Sequence, residues 1–268
     1  MRKGRGMSID SYPVGLLLVP CCVVASLAGL HASRRWLPHD ELVRFQDVAS
    51  YLFAVVGTLY AVILGLVVVD SMSKFSEARL ASEAESNALS EIILFTTQFP
   101  GDGSRRVRDL AGDYAKSVIE TEWPTMAQHG HATETHKIAI ELLQTVFAYE
   151  PKSSREEQLF ATQVQAAADF WNFRRTRLVH ASQSGLPTLE WMVLISGGVI
   201  TVVFAYFFKV EHLRLQLAMT SMLAAVIALN LYLILMFASP FSGDLQVVPE
   251  GFHLTRVILD EVEGHHFE

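Results

Sequence analysis

Four long apolar segments interrupt an otherwise polar chain, two toward each end. They run from Pro13 to Ala32, from Tyr51 to Val69, from Trp191 to Phe208 and from Leu215 to Phe237, and they contain no Asp, Glu, Lys or Arg. A helix needs about 20 residues to cross the hydrocarbon core of a bilayer. Because backbone groups in lipid must be hydrogen-bonded internally, the pattern predicts four transmembrane helices.

The first apolar segment has a second interpretation. Arg2, Lys3 and Arg5 precede it, and it ends in GLHAS, which is typical of a cleaved signal peptide. The apolar run is longer than the usual apolar core of a signal peptide. We therefore expect the segment to be retained, which gives an even number of spans and places both termini on one side.

Periodic apolar positions between the second and third segments predict amphipathic helices. In the first of these helices the stripe consists of Ala81, Ala84, Ala88, Ile92, Phe95 and Phe99, at spacings of three and four. No Pro or Gly stands between Gly65 and Pro100. We therefore expect the second membrane helix to continue unbroken out of the bilayer.

Three further helical stripes follow in this polar region. The apolar positions are Val107, Leu110, Ala111, Tyr114 and Val118 in one helix, Ala139, Leu142, Leu143, Val146 and Phe147 in the next, and Phe160, Val164, Ala167, Trp171 and Leu178 in the last. SREE at Ser154 to Glu157 predicts a capping box that opens the last helix. Such stripes must be buried against one another or against a neighbouring subunit.

The predicted fold is an all-α membrane protein in which two pairs of transmembrane helices flank an extramembrane helical bundle. We expect transmembrane helices 1 and 2 within residues 13–69, the bundle within 70–190 and transmembrane helices 3 and 4 within 191–237. Residues 238–268 are expected to form a C-terminal turn and tail.

Composition and charge agree with a membrane protein. Of 268 residues, 51% are hydrophobic and 18% are charged, which is too apolar for an ordinary soluble domain. The formal net charge of -7 argues against a nucleic-acid partner. Lys and Arg near the helix ends favour cytoplasmic N- and C-termini, with the bundle in the cytosol.

The sequence offers no catalytic or metal-binding motif. It has no Gly-x-Ser-x-Gly, no phosphate-binding glycine loop and no zinc-hydrolase helix motif, so we expect no enzymatic activity and no cofactor. Cys21 and Cys22 are adjacent in an apolar run and build neither a disulfide framework nor a metal site. Glu263 with His266, and the HGH of residues 129–131, have weak metal-ligand spacing, and solvated segments are expected there.

Small residues form one face of the second span. They are Ser50, Ala54, Gly57, Ala61 and Gly65, spaced so that backbones can approach closely. One interpretation is ordinary helix packing. The other is that this face lines a narrow ion conduit, where small side chains leave room and backbone groups meet a passing ion.

A few polar residues in or near the membrane have two possible roles each. Asn230 lies in the fourth span, where an interhelical hydrogen bond or an ion contact would satisfy its amide. Asp70 lies at the inner mouth of the second span and has the same two possible roles, a structural contact or an ion contact. Arg174, Arg175 and Arg177 are candidates for contact with anions or lipid headgroups, against a solvated or salt-bridged face that pairs with Glu83 or Glu85.

Six short motifs, taken in order and spacing, resemble one family. They are GTLYAVILG at Gly57 to Gly65, EAESNAL at Glu83 to Leu89, Tyr114 followed by EWP at Glu122 to Pro124, RRTRL at Arg174 to Leu178, GLPTLEW at Gly185 to Trp191, and PFSGDLQVVPEGF at Pro240 to Phe252. This pattern resembles the bestrophin-like domain family of unknown function, which consists of prokaryotic and plant membrane proteins of about this length. The expected location is therefore a bacterial inner membrane.

The resemblance implies similarity to bestrophins, which are oligomeric anion channels whose membrane helices continue into a cytosolic helical domain around a central pore. The implied partners are the lipid bilayer, further copies of the chain in a tetramer or pentamer, and inorganic ions. The sequence departs from bestrophins in having no acidic calcium clasp and no aromatic triplet in the second span. Val62, Leu66 and Val69 would have to form the hydrophobic neck.

The terminal motif predicts a defined turn after the fourth span. Pro240 cannot continue the helical hydrogen bonding, Gly243 permits a tight turn, and Ser242 or Asp244 can cap freed backbone groups. The alternative is that Ser242, Gly243 and Asp244 contribute an ion-binding mouth.

Two functions of different classes remain open from the sequence. The first is a homo-oligomeric ion channel, anion-conducting by resemblance or cation-selective with the same architecture, in which the second span lines the pore. The second is a sensor or scaffold whose bundle binds a ligand or partner while the membrane helices anchor it.

Overall fold

The protein is almost entirely helical in the part that a computed structural model describes, residues 11–36, 46–128, 130, 132–208 and 212–264. Its helices in chain order are α1 (Tyr12–Trp36), α2 (Gln46–Thr96), α3 (Asp102–Ser117), α4 (Trp123–Met126), α5 (Thr133–Phe147), α6 (Ser154–Ser182), α7 (Thr188–Tyr206), α8 (Leu213–Ala238) and α9 (Glu250–Gly264). A π-helical turn, Val118–Glu122, joins α3 to α4. The predicted all-α fold is confirmed.

The chain divides into two compact units. The first, called the membrane unit, comprises the chain up to Lys74 with Gly185–Ser239 and Gly243–Leu245. The second, called the bundle unit, comprises Phe75–Ser184, Pro240–Ser242 and the chain from Gln246 onward. Within the described residues, four helices, α1, α2, α7 and α8, are long and apolar enough to cross a membrane, as the hydrophobic pattern predicts.

The second membrane helix does continue without a break. α2 has 51 residues, which at 1.5 Å per residue makes it about 75 Å long. The hydrocarbon core is only about 30 Å thick. A large part of α2 therefore extends beyond the bilayer, and the helix contributes its first part to the membrane unit and its remainder, from Phe75, to the bundle unit.

In the membrane unit, α2 packs closely on α7 through one aromatic residue. The ring of Tyr60 lies against Gly197 and Gly198, and a Cβ atom added to Gly197 would lie 2.5 Å from that ring. The Tyr60 hydroxyl donates a hydrogen bond to the Leu194 carbonyl, 3.1 Å away. α1 packs along α8, which in turn packs against α7.

The bundle unit is closed by a helix that the sequence analysis did not predict. We expected a turn and polar tail over residues 238–268, but α9 packs there with Phe252, Thr255 and Leu259 buried. Thr255 Oγ1 lies 2.9 Å from Ser90 Oγ on α2. A Cβ added to Gly251 would lie 2.1 Å from Ser86 Oγ, so only glycine allows this close approach.

The inward face of α6 is rotated from the predicted stripe. Of the residues expected on that face, only Ala167 is fully buried. The buried positions are Gln163, Ala166, Ala167, Phe170, Arg174, Arg177 and Ala181. The hydrophobic pattern misplaces the face because two of the inward residues are arginines, which a pattern of apolar positions counts as outward.

The start of α6 also differs by one residue from the expected capping box. Ser153, and not Ser154, is the N-cap, and its Oγ accepts a hydrogen bond from the Glu156 N–H at 3.3 Å. The Glu156 carboxylate accepts the Lys152 N–H and the Tyr149 hydroxyl. In α5, Phe147 is half exposed, whereas the other four predicted stripe positions are buried.

Candidate functional site

The small-residue face of α2 is not covered by the described residues of its own chain. Ser50, Ala54, Ala61 and Gly65 are exposed, and Gly57 is partly exposed. A Cβ added to Gly57 or to Gly65 would meet no atom within 4 Å. Packing of the stripe against a helix of the same chain is therefore not seen in the described ranges. We call these five residues the uncovered face.

Large apolar residues lie on the side of α2 next to the uncovered face. Val62, Leu66 and Val69 are each more than half exposed. Tyr60 and Leu64, on the side of α2 that adjoins the other edge of the uncovered face, are buried. α2 therefore has one side fixed within its own chain and another side free to contact lipid, solvent or a second copy.

Asp70 follows directly after this apolar stretch. Its Oδ2 lies 2.7 Å from Lys74 Nζ, one helical turn further along α2, and both side chains are about half exposed. Exposed pairs of this kind contribute at most about 1 kcal/mol. Their effect here is local neutralisation of the Asp70 charge.

Asn230 is hydrogen-bonded within its own helix in the part of the chain that the structure describes. Its Nδ2 donates to the Val226 carbonyl at 2.9 Å, within α8. The carbonyl four residues back is within reach of a short polar side chain on a helix. The amide donor is thus satisfied by its own helix.

A buried ionic cluster of Arg174, Arg177, Glu85 and Glu122 lies in the bundle unit, where the sequence left open either an anion or lipid contact or a solvated or salt-bridged face. The Arg174 Nη1 and Nη2 atoms donate to the two Glu122 oxygens at 2.8 and 2.7 Å. The Arg177 Nε and Nη2 atoms donate to the two Glu85 oxygens at 2.6 and 3.0 Å, and Nη2 also reaches Glu122 at 2.9 Å. These four side chains are at most 2% exposed.

Aromatic rings surround the buried ionic cluster. The Arg174 guanidinium lies 5.2 Å from the centroid of the Tyr114 ring, and the Arg177 guanidinium lies 5.3 Å from that of Trp123 and 5.7 Å from that of Phe252. Cation–π contacts of this kind favour a desolvated guanidinium. The Tyr114 hydroxyl donates to Glu85, which joins the cluster to α3.

Burial and charge shift the titration of the cluster. Burial alone would raise the pKa of Glu122, but Arg177 and Arg174 outweigh it and lower that pKa below its ordinary value. Burial would lower the pKa of Arg177, but Glu85 and Glu122 raise it well above its ordinary value. Burial, with the nearby Glu85, raises the pKa of Tyr114 well above its ordinary value. Glu122 and Arg177 are therefore held in their ionised forms.

Of the two interpretations of the three arginines, the geometry favours the salt-bridged one for Arg174 and Arg177, which are not accessible to an anion or a lipid headgroup. Arg174 and Arg177 are buried and paired with carboxylates, whereas Arg175 is exposed. The salt-bridged alternative, with Glu85 as a partner, describes Arg177. Glu122 was missed because it lies at the end of a π-helical turn, where the apolar period of α3 no longer predicts which side chains point inward.

The terminal motif supplies core residues to the bundle unit. Phe241 and Phe252 are buried, and their rings lie 5.5 and 6.0 Å from the ring of Trp123. The Trp123 Nε1–H donates to the Val247 carbonyl at 3.0 Å, and the Val247 N–H donates to the Pro240 carbonyl at 2.7 Å. These contacts are a physical reason for the specified sequence of this segment.

The turn residues of the motif act on α1. Gly243 has φ +77°, a conformation that favours glycine. Asp244 Oδ2 accepts a hydrogen bond from the Tyr12 N–H at 2.7 Å, which satisfies a free donor at the start of α1. The sequence suggested capping of freed backbone groups, and the donor lies on α1 instead of α8. Ser242 is half-buried.

The structure describes only part of the weak metal-ligand candidates. His129, His131 and His266 lie outside the described residues, and Glu263 is exposed. Among the residues that the structure describes, no three His, Cys, Asp or Glu side chains are grouped to hold a metal ion.

The chain is similar to one sequence family and to several solved structures. Residues 21–252 match the Bestrophin-like domain family. A crystal structure of a bacterial bestrophin homologue from Klebsiella pneumoniae, a point mutant, aligns with a TM-score of 0.69 at 12% identity, over 93% of this chain and 99% of that one. A second mutant of that homologue gives 0.67 at 13% identity, with the same coverage.

A third structure, described as a membrane protein with a point substitution, aligns with a TM-score of 0.66 at 14% identity, over 93% of this chain and 98% of that one. No curated protein matches the chain in sequence. At these identities, the structures support the fold.

Proposed function

Because the chain belongs to the Bestrophin-like domain family, we propose that this integral membrane protein is a homo-oligomeric ion channel. In this proposal, copies of α2 surround a central pore and the uncovered face of each copy lines it. The bundle unit and both termini lie on the cytoplasmic side of a bacterial inner membrane, and the oligomer is a tetramer or pentamer.

The uncovered face is the observation that carries the proposal. Its small residues have room for an added side chain, whereas Tyr60 on another side of α2 is in contact with Gly197 and Gly198. A helix that needed its small residues for packing within the chain would have them buried. Lipid contact alone does not require small residues, because large apolar side chains suit the hydrocarbon core equally well.

The order of residues along α2 fits a graded conduit. Gly57, Ala61 and Gly65 would leave backbone groups accessible at the wider part of the pore. Val62, Leu66 and Val69 would form a hydrophobic constriction, the part for which bestrophins use aromatic residues. Asp70 would follow at the inner mouth.

The proposed preference for anions rests on the resemblance to bestrophins. A ring of free carboxylates favours cations. Asp70 is paired with Lys74 at 2.7 Å, so this position adds no net negative charge to the proposed pore. Anion conduction is therefore compatible with Asp70 at the inner mouth.

Current across a planar bilayer that holds the purified protein tests the function. We expect a unitary current whose reversal potential follows a chloride gradient and shifts when gluconate replaces chloride on one side. A reversal potential that follows the cation would keep the channel and overturn the anion preference. Absence of current from an oligomer shown to be intact would favour the sensor or scaffold function.

Cysteine accessibility tests the position of the pore. In a variant with both native cysteines replaced by serine, Ala61→Cys should be modified by a water-soluble charged thiol reagent, and the current should fall. The matched control is Val199→Cys, which is exposed on α7 but lies outside the uncovered face. Equal loss of current in both variants, or none in Ala61→Cys, would remove α2 from the pore.

A further inference from the structure

A cavity opens in the membrane unit between α1, α7 and α8. It has a volume of about 310 Å³, and its mostly apolar lining includes Ala25 of α1 and Leu231 of α8. On α7, the lining residues Ile195, Val199 and Val203 are between 41% and 56% exposed. Because all three helices are long and apolar enough to cross a membrane, the exposed side of the cavity is open to the bilayer.

The ends of the same three helices meet at one edge of the membrane unit. Gln216, in the first turn of α8, is 3% exposed. Its Oε1 accepts a hydrogen bond from Arg34 Nη2 near the end of α1, and its Nε2 donates to the Phe208 carbonyl just after α7, 2.7 Å away. One buried amide thus ties the three helix ends together, so α1, α7 and α8 reach the same surface of the bilayer.

Positive charge lies at this edge. Arg34, Arg35 and Arg214 are exposed at the ends of α1 and α8, and the described residues at the ends of α1, α7 and α8 on this side include no carboxylate. With the connecting segments included, residues 33–45 and 207–215 hold five Lys and Arg against three Asp and Glu. Trp36, the last residue of α1, is 87% exposed, which is typical of aromatic residues at the level of lipid headgroups.

The cavity and the arginines lie within the depth of one leaflet. Going back along α1 from Arg34, the lining residues Ser26 and Cys22 are eight and twelve residues away, or about 12 and 18 Å at 1.5 Å per residue. The hydrocarbon core is about 30 Å thick, so one leaflet contributes about 15 Å. A lipid whose phosphate lies at the arginines therefore has its acyl chains at the depth of the cavity.

We propose that this edge and this cavity bind one anionic phospholipid. Its phosphate lies at Arg35 and Arg214, and one acyl chain fills the cavity between α1, α7 and α8. The arginines select an anionic headgroup, because Lys and Arg near a membrane surface attract acidic lipids. The apolar walls select the chain, since water would find few polar partners there. The described lining includes no residue of α2, so the site is independent of the proposed pore.

Native mass spectrometry of the delipidated full chain tests the headgroup contact. The chain is titrated with dioleoyl phosphatidylglycerol or with dioleoyl phosphatidylcholine, which have the same acyl chains. We expect phosphatidylglycerol to bind at least tenfold more tightly. Arg35→Gln/Arg214→Gln should lose most of this preference, because each arginine near the surface contributes about fivefold. The matched control Arg105→Gln/Arg155→Gln removes two exposed arginines of the bundle unit and should keep the preference.

A second pair of variants tests the cavity. Ala25→Trp places a large side chain in the cavity at an exposed position, so α1 should remain folded and both lipids should bind at least fivefold more weakly. The matched control is Ala28→Trp, which is also exposed on α1 but lies outside the cavity lining, and it should bind like wild type. Glycerol phosphate, which has a phosphate but no chains, should not displace the lipid.

Four results would overturn the lipid site. The first is equal binding of the two lipids by wild type, and the second is an unchanged preference in Arg35→Gln/Arg214→Gln. Displacement by glycerol phosphate, the third, would make the edge a site for free anions. The fourth is unchanged lipid binding by Ala25→Trp, and if the oligomer mass of this variant also changed, the cavity would be an interface between copies.

Discussion

At the scale of single residues, Glu122 is the most consequential side chain in the bundle unit. It receives hydrogen bonds from both Arg174 and Arg177, and removing one partner of a buried ion pair costs about 3–5 kcal/mol. We expect Glu122→Gln to lower the thermal unfolding midpoint strongly. Glu120→Gln, an exposed position in the same π-helical turn, is the control and should change it little. Equal midpoints for the two variants would contradict the buried ionic cluster.

The lowered pKa of Glu122 predicts a dependence of stability on pH. The folded state holds the ionised form, so its stabilisation is present above the pKa of an unfolded carboxyl and is lost as the pH falls through the lower, folded pKa. Unfolding midpoints should therefore fall with acidification. The slope should be shallower in Glu122→Gln, which no longer titrates at this position, and identical slopes would show that Glu122 does not contribute.

At the scale of helices, substitution by leucine should affect stability at one glycine of the membrane unit and current at another. Gly197→Leu would push against the ring of Tyr60 and separate α7 from α2, whereas the space around Gly65 is open within the chain. We expect Gly197→Leu to lower the unfolding midpoint and the yield of the protein. Gly65→Leu should leave both unchanged and reduce the current, because the side chain would enter the proposed pore.

Single-channel recording and thermal unfolding on the same samples distinguish these effects. A Gly65→Leu protein that conducts like wild type would exclude Gly65 from the pore. If Gly197→Leu were as stable as wild type, the close packing of Tyr60 on α7 would be wrong.

The helices show which features of the fold can be predicted from the sequence. The length of α2 follows from the absence of Pro and Gly between Gly65 and Pro100, a local property that the sequence carries directly. The inward face of α6 does not follow, because Arg174 and Arg177 are buried by partners on other helices. α9 was missed because its burial depends on a close approach of Gly251 to Ser86.

The candidate pore was predictable only in part from the sequence. The spacing of small residues singles out one face of α2, but only the packing of Tyr60 and Leu64 shows that this face is the one left uncovered. The pairing of Arg174 with Glu122 was not predictable, since the two residues lie 52 positions apart and on different elements.

At the scale of the whole molecule, the exposed side of α2 predicts an assembly. The chain has a mass of 29.8 kDa, and a central pore requires several copies of α2. We expect native mass spectrometry in detergent to give four or five times this mass. Val62, Leu66 and Val69 would each meet their counterparts around the axis, so Leu66→Arg should leave monomers folded but weaken the oligomer by like-charge repulsion. If the wild-type protein had the mass of a monomer, a pore shared between several copies of α2 would be excluded.

The side of the membrane on which the bundle unit lies distinguishes the two classes of function. Lys and Arg near the helix ends favour cytoplasmic termini and a cytoplasmic bundle unit. A fluorescent protein that matures only in the cytoplasm, inserted at Gly130 between α4 and α5, should therefore be bright. Alkaline phosphatase, which is active only outside, should be inactive at the same position. The reverse result would place the bundle unit outside and favour the sensor or scaffold function, because the bundle unit would then be accessible to extracellular ligands.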